Sequence, residues 1–584
     1  MTNTNSTENI IKADINSDHM IEVSGDSTEE TKNLLKIILR NKAVIKVLIF
    51  CFITAYAVWA TVHFVKNTDP LDSDAFVSST TNGYGLLVIL YIIYVWATLY
   101  YNLLKPRVWP TVHKTVWSPT TKILHQIRYG SLIFYISVLV ATLAFLIFDT
   151  SDNRNRLIPL IGLLFFLAIA FVFSANHRRV PWDTIIWGII LQFIFGFLTI
   201  RWSVGRNTLK TFSDHVNTFL DYGVEGAAFT YGDELVNVQK VFAFQALSVI
   251  FFMGFVINIL YYYGLMQRFV NMLGECLHLV MGTTICESVN SVAVAFVGMS
   301  EGPMMLRPYL KYLTDSEIHS MLLAGFASVS GSTFAAYITY GARPEDLVTA
   351  SIMSAPSALC FSKILYPEVQ EVRIKKKDVH MVEVEYSSVI DAASKGATDA
   401  YHLIAAIISG VTATLSFIYF INGVLQWLGI LVGFTEESNM WSLQLIAGKI
   451  FIPIAWIMGV PWEECEKVAQ LIGIKTMVNE FVAFETMGNM DLMARTKVIA
   501  TYAICGFSNP GSIGIMVSTM AALVPEKRDS VNRLIFRAWV GGALVCFMTA
   551  CIAGLLMTDD ALSTSNSTPT SLGNHSNNTL TFLS

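Results

Sequence analysis

Apolar stretches of about 20 residues, each flanked by polar or charged positions, recur along the chain, and this is the length an α-helix needs to cross a hydrocarbon core of about 30 Å. That pattern restricts the chain to helices in lipid, because transmembrane β-barrels are built from short strands of alternating polarity. Composition agrees. Of the 584 residues 53% are apolar and 14% charged, against roughly 25% charged in soluble domains, and the mean hydropathy is +0.52.

The expected fold is an all-α polytopic membrane protein of about eleven transmembrane helices plus two re-entrant hairpins. Spans are expected near 43–65, 83–104, 130–149, 157–175, 185–200, 240–266, 316–341, 346–366, 401–433, 496–524 and 534–557. The regions 272–313 and 441–490 are apolar but studded with Gly, Ser, Pro and charge, and read as the hairpins. The organisation follows: a disordered tail over 1–40, N-terminal membrane helices over 41–200 and an interfacial helix within 201–239. A first core repeat fills 240–400, whose residues 372–400 form a charged connector. The linking span and second repeat fill 401–557, and a tail covers 558–584.

Basic residues orient the set. Lys32, Lys36, Arg40 and Lys42 precede the first span, while Arg178, Arg179, the run Arg373–Lys377 and Arg533 fall on the same side, so the N-terminus is expected in the cytoplasm. An odd number of spans puts the C-terminus outside, where the sequons at Asn566, Asn574 and Asn577 could be glycosylated. The eight cysteines include no C-x-x-C pair and read as small packing residues. Nothing in the charge pattern suggests nucleic acid as a partner.

Two glutamates interrupt the apolar pattern in parallel contexts. Glu301 in "FVGMSEGPMMLRPYL" is followed by the pair Gly325-Phe326, and Glu480 in "VNEFVAFETM" is followed at nearly the same spacing by Gly506-Phe507. A P-E pair, Pro367-Glu368 or Pro525-Glu526, lies further on in each half. The halves thus read as a duplication, and the single span 401–433 between them makes the repeats inverted in topology. Inverted repeats with discontinuous helices are common in secondary transporters, with binding sites near the midplane. Asn509-Pro510-Gly511 should open its helix, and Ser328, Ser330, Gly331, Ser332 and Thr333 form the corresponding polar patch.

An ionised carboxylate at the bilayer centre costs about 2.5–3.5 kcal/mol on insertion scales, which makes Glu301 and Glu480 candidate functional residues. Lys475 and Asn479 form an i, i+4 pair read as a brace for the second hairpin, and His402 is read as interfacial. No G-x-x-x-x-G-K-[ST] phosphate loop supports direct drive by ATP. A membrane enzyme using the buried carboxylates for acid–base work is the alternative of another class.

The stretch Gly473–Phe484, "GIKTMVNEFVAF", meets in full the signature G/A-x-K-x-x-x-N-E-F-V-A-Y/M/F, and the chain resembles the concentrative nucleoside transporter family over roughly residues 40–555. The resemblance implies a plasma-membrane homotrimer that imports nucleosides with a cation, Na+ or alternatively H+, and needs no other cofactor. It implies that Glu480 holds ribose hydroxyls, with Asn509, Ser512 and Phe507 beside it. Met299, Ser300 and Glu301 would face the base, and Thr333 would pack on it. Sodium would be held by main-chain oxygens of Val294, Val297, Ser328 and Val329, with the Ser328 hydroxyl. Two positions depart from the family pattern: Met299 stands where Gln is usual, which leaves purine against pyrimidine preference open, and Val294 stands where Asn is usual.

Overall fold

The computed structural model describes residues 51–64, positions 66, 85, 87, 88, 91, 92 and 95, and residues 130–558 apart from 152, 375–385 and 435–440. The expectations for the tail over 1–40 and for the sequons lie outside these residues, as does most of the expected span 83–104. Contacts divide the chain into two units, Met1–Ala141 and Thr142–Ser584. In the first, Tyr91 OH donates at 3.2 Å to Oγ1 of Thr54, a residue of the helix Cys51–Phe64.

Among the described residues, five helices are long and apolar enough to cross a membrane: Arg154–Val172, Trp182–Arg201, Pro344–Leu365, Val389–Leu431 and Pro525–Leu556. Amphipathic Ser203–Tyr231 follows the second of them, where an interfacial helix is expected. The expected span 240–266 is realised differently. Helix Val249–Tyr262 ends early and bends by 79° into Leu265–Met281, a helix with one apolar and one polar face. Residues 265–281 therefore do not belong to the first hairpin, which is confined to Ile285–Phe296 and Glu301–Met304. The second hairpin is likewise shorter than 441–490. Leu443–Ile457 is a separate apolar helix, and the hairpin itself is Cys465–Met477 plus Glu480–Gly488.

Each hairpin is followed by a broken helix. The first consists of Asp315–Ala327, an irregular stretch at Ser328–Ser330, a 3-10 turn at Gly331–Thr333, and Phe334–Thr339. In the second, Ala494–Ile504 stops and Pro510–Leu523 restarts beyond it. The restart has a local cause: Asn509 caps the new helix by accepting from Ser512 N at 2.8 Å, and Pro510 takes the first helical position, where a missing N–H is harmless. A helix with most of its residues buried closes each half, Pro344–Leu365 and Arg528–Leu556, the latter exposed only over its N-terminal part.

This alignment corrects the repeat. The P-E pair equivalent to Pro525-Glu526 is Pro344-Glu345, which opens its closing helix at the same spacing after Gly325 as Pro525 keeps after Gly506. Pro367-Glu368 instead follows the end of that helix, where Glu368 Oε2 accepts from Thr314 Oγ1 at 2.6 Å.

Element ends gather into two groups. Arg156 binds Asp149 at 2.7 Å and the Leu555 carbonyl at 3.0 Å, and Arg495 reaches the Gly554 carbonyl at 2.6 Å. In the other group Ala175 N donates to the Leu365 carbonyl at 2.8 Å, Lys527 Nζ reaches the Leu313 carbonyl at 2.8 Å, and Arg533 pairs with Asp315. The linking helix Val389–Leu431 starts well before the expected residue 401. At 1.5 Å per residue its 43 residues run about 65 Å, longer than a bilayer core. It packs along Val249–Tyr262, where Gly254 and Gly396 let the backbones approach closely. Its other faces expose Phe417, Phe420, Trp427 and Leu431, apolar surface of the kind that faces lipid.

Candidate functional site

The tips of both hairpins and the breaks of both broken helices meet at one cavity of about 120 Å³. Met299, Ser300 and Glu301 come from the first hairpin, Thr333 from the first break, Glu480 from the second hairpin, and Phe507, Asn509 and Ser512 from the second break. All eight residues singled out from the sequence as substrate-binding candidates line it.

Local geometry explains how each tip presents its carboxylate. In the first hairpin, Thr284 and Glu287 form a reciprocal capping box that starts Ile285–Phe296. The chain then turns at Gly298, whose φ of +141° is a glycine conformation. A Cβ there would stand 2.6 Å from Glu301 Oε2, so the missing side chain is what allows the carboxylate to fold back over the turn. In the second hairpin Asn479 caps the helix that begins at Glu480, its side chain accepting from Val482 N at 3.0 Å.

Glu480 is 2% exposed and held at both oxygens. Asn509 Nδ2 donates to Oε2 at 2.6 Å and Tyr337 OH to Oε1 at 3.3 Å. The Tyr337 ring is itself clamped, stacked on Phe484 with centroids 4.5 Å apart and tilted against Phe481 at 5.1 Å. Lys475 and Asn479 do not act as a pair. Asn479 serves its own helix, whereas Lys475 is fully buried and directs Nζ to the Ala503 carbonyl at 3.4 Å. His402 is exposed.

The four positions named for sodium lie together at the first hairpin and the first break. Val294 is on the last turns of Ile285–Phe296, Val297 caps that helix, and Ser328 and Val329 end Asp315–Ala327. Three of their carbonyls already accept one hydrogen bond: Val297 from Ser330 Oγ at 2.8 Å, Ser328 from Phe507 N at 3.4 Å and Val329 from Ser351 Oγ at 3.3 Å. A carbonyl oxygen has two lone pairs, so each retains capacity for a cation.

Sequence reasoning missed one wall of the cavity. Leu403, Ile407, Gly410 and Val411 of the linking helix line it at helical spacing. An apolar stripe on an apolar helix carries no signal that separates a cavity wall from a lipid-facing surface. Tyr337 was missed too; its place one helical turn beyond Thr333, at i+4, was the available hint.

The families described as "Na+ dependent nucleoside transporter N-terminus", "Nucleoside recognition" and "Na+ dependent nucleoside transporter C-terminus" match residues 161–234, 243–343 and 346–554. Sodium/nucleoside cotransporter 2 of Rattus norvegicus is 38% identical over 442 residues, covering 73% of this chain and 66% of that protein. Sodium/nucleoside cotransporter 1 of Oryctolagus cuniculus is 39% identical over 436 residues, covering 72% and 65%. The solved structure of CNTnw in an inward-facing substrate-bound state aligns with a TM-score of 0.65 at 33% identity, covering 69% of this chain and 98% of that one.

The chain belongs to the concentrative nucleoside transporter family. Membership of this family makes it a multi-pass membrane protein of transporter type rather than an enzyme. It spans about two thirds of the length of the curated relatives it matches. The matched segments divide close to the fold's own joints: the first ends at residue 234, just past the amphipathic helix that stops at Tyr231, and the last begins at residue 346, in the first turn of the closing helix of the first repeat.

Proposed function

We propose that the chain is a sodium-coupled nucleoside symporter that imports purine or pyrimidine nucleosides across the plasma membrane, with its N-terminus in the cytoplasm, as a homotrimer. The observation that carries the reading is the convergence of both repeats on one cavity, with Glu480 fixed at its wall by Asn509 and Tyr337. A carboxylate oriented in advance has lone pairs left to accept from a vicinal diol, and ribose offers one. Such a site disfavours analogues lacking those hydroxyls, because its acceptors would then be left unpaired. Met299, Ser300 and Glu301 on the facing hairpin, with Thr333, would meet the base, while the stripe Leu403–Val411 supplies an apolar wall.

Sodium is co-transported substrate in this scheme. Val294, Val297, Ser328 and Val329 offer hard oxygen ligands without full charge, which suits an alkali cation. Because the ion's helix end and the nucleoside's wall share the segment Ser328–Thr333, binding of one would shape the site for the other. The names of the relatives support sodium over protons as the coupling ion. Uptake of labelled uridine and adenosine into cells expressing the chain, with sodium replaced by choline, is the test. The reading expects sodium-dependent accumulation of unchanged nucleoside. Uptake that follows pH and ignores sodium would assign coupling to protons, and no uptake under either gradient would refute transport.

A further inference from the structure

The two broken helices end alike but are neutralised differently. Where Asp315–Ala327 stops, its terminal carbonyls meet uncharged donors: Ser328 Oγ reaches Gly325 O at 3.3 Å and Cys546 Sγ reaches Ala327 O at 3.8 Å. Where Ala494–Ile504 stops, the group that arrives is an ammonium. Lys475 Nζ lies 3.4 Å from the Ala503 carbonyl and 5.8 Å from the centroid of the Phe547 ring, in a side chain with no exposed surface. Among the described residues no carboxylate stands within ion-pair distance of it. A helix C-terminus carries about half a negative charge, and an aromatic face also attracts a cation, so both neighbours are electrostatically complementary to a lysine side chain.

We propose that Lys475 is a built-in cation for the second half-helix, doing permanently at that helix end what an exchangeable cation does at the first. The proposal rests on the sodium-coupled reading above. It gives the repeat a reason for its asymmetry, since only the end without a tethered ammonium needs an ion from solution. Lys475 is a positioning residue in this role. It joins the second hairpin to the half-helix whose break carries Asn509, and so holds together the two segments that orient Glu480.

The test is sodium-dependent uridine uptake by the full chain in proteoliposomes, for the wild type, Lys475→Arg and Lys475→Met, with monodispersity checked by size exclusion. The arginine variant keeps uptake within about threefold and leaves the sodium activation curve unchanged, while the methionine variant loses at least about tenfold. In the methionine variant activation by sodium also becomes steeper, as a free cation takes the vacated helix end. A neutral variant with wild-type uptake and an unchanged sodium curve overturns the proposal. If the methionine variant does not fold, a Lys475→Gln variant replaces it: it must lose uptake at least about tenfold and steepen the sodium curve, and wild-type uptake with an unchanged curve overturns the proposal. A wild type without sodium-dependent uptake would instead refute the sodium-coupled reading on which this one stands.

Discussion

Asn509 joins the break of the second broken helix to the tip of the second hairpin by donating from Nδ2 to Glu480 Oε2 at 2.6 Å, while its own Oδ1 caps the next helix at Ser512 N. One side chain thus sets both the helix restart and the carboxylate. Replacing Glu480 by Gln removes the charge and makes the pairing with the Asn509 amide ambiguous. Uridine uptake should fall at least about tenfold, as expected when a charge-assisted bond is lost. Surface biotinylation should show unchanged expression, and a collapse of expression would favour a purely structural role.

Tyr337→Phe is a finer probe of the same carboxylate. The ring keeps its stack on Phe484, while the hydroxyl is lost together with its 3.3 Å hydrogen bond to Glu480 and its contact with the Thr333 side chain. A net loss of about 1 kcal/mol corresponds to roughly fivefold weaker apparent affinity for nucleoside. Uridine concentration dependence measures it, and an unchanged half-saturation would remove Tyr337 from the site.

Gly506→Ala should be strongly destabilising, whereas Gly514→Ala should not. A Cβ on Gly506 would lie 2.5 Å from Cys546 Sγ and 3.0 and 3.1 Å from the carbonyls of Phe326 and Ala327, and backbone cannot swing aside as a side-chain end can. Around Gly514 nothing lies within 4 Å, so alanine there should be neutral or add up to about 1 kcal/mol of helix propensity. Thermal unfolding of the two purified variants compares them directly.

Lys363 forms a buried ion pair with Glu287 and also donates to Ser316 Oγ at 2.9 Å. Lys363→Met alone strands a buried carboxylate and should cost about 3–5 kcal/mol, whereas the double variant Glu287→Gln, Lys363→Met should recover part of that. Melting temperatures of both single variants and the double variant close the cycle. A double variant as unstable as the sum of its singles would show that the pair contributes no coupling.

Much of the site was legible because its elements are marked by local chemistry. Asn509-Pro510-Gly511 announces a helix restart, since Asn caps and Pro lacks the N–H that a continuous helix requires. Glu301 and Glu480 stand out because a carboxylate in an apolar run is costly wherever the chain places it. The limits of the spans were less legible. The turn after Tyr262 lies inside the apolar stretch expected as one span, and hydropathy alone does not register a 79° bend. The P-E pairs were misaligned for a related reason: a two-residue motif occurs more than once, and only its position at a helix start distinguishes Pro344-Glu345 from Pro367-Glu368.

The sequence by itself determined that the chain is a bundle of membrane helices, that two of them break, and which carboxylates sit near the breaks, because solvation and backbone propensity act over a few neighbouring residues. Only the tertiary structure decided what those groups touch. Glu480 meets Tyr337 across 143 residues of chain, and Lys475 leaves its neighbour Asn479 for a carbonyl 28 residues away. The apolar stripe from Leu403 to Val411 lines the cavity rather than facing lipid. Hydrogen bonds and ring contacts form only within a few ångströms, so which partners come that close depends on how the helices pack, and no local stretch of sequence encodes that.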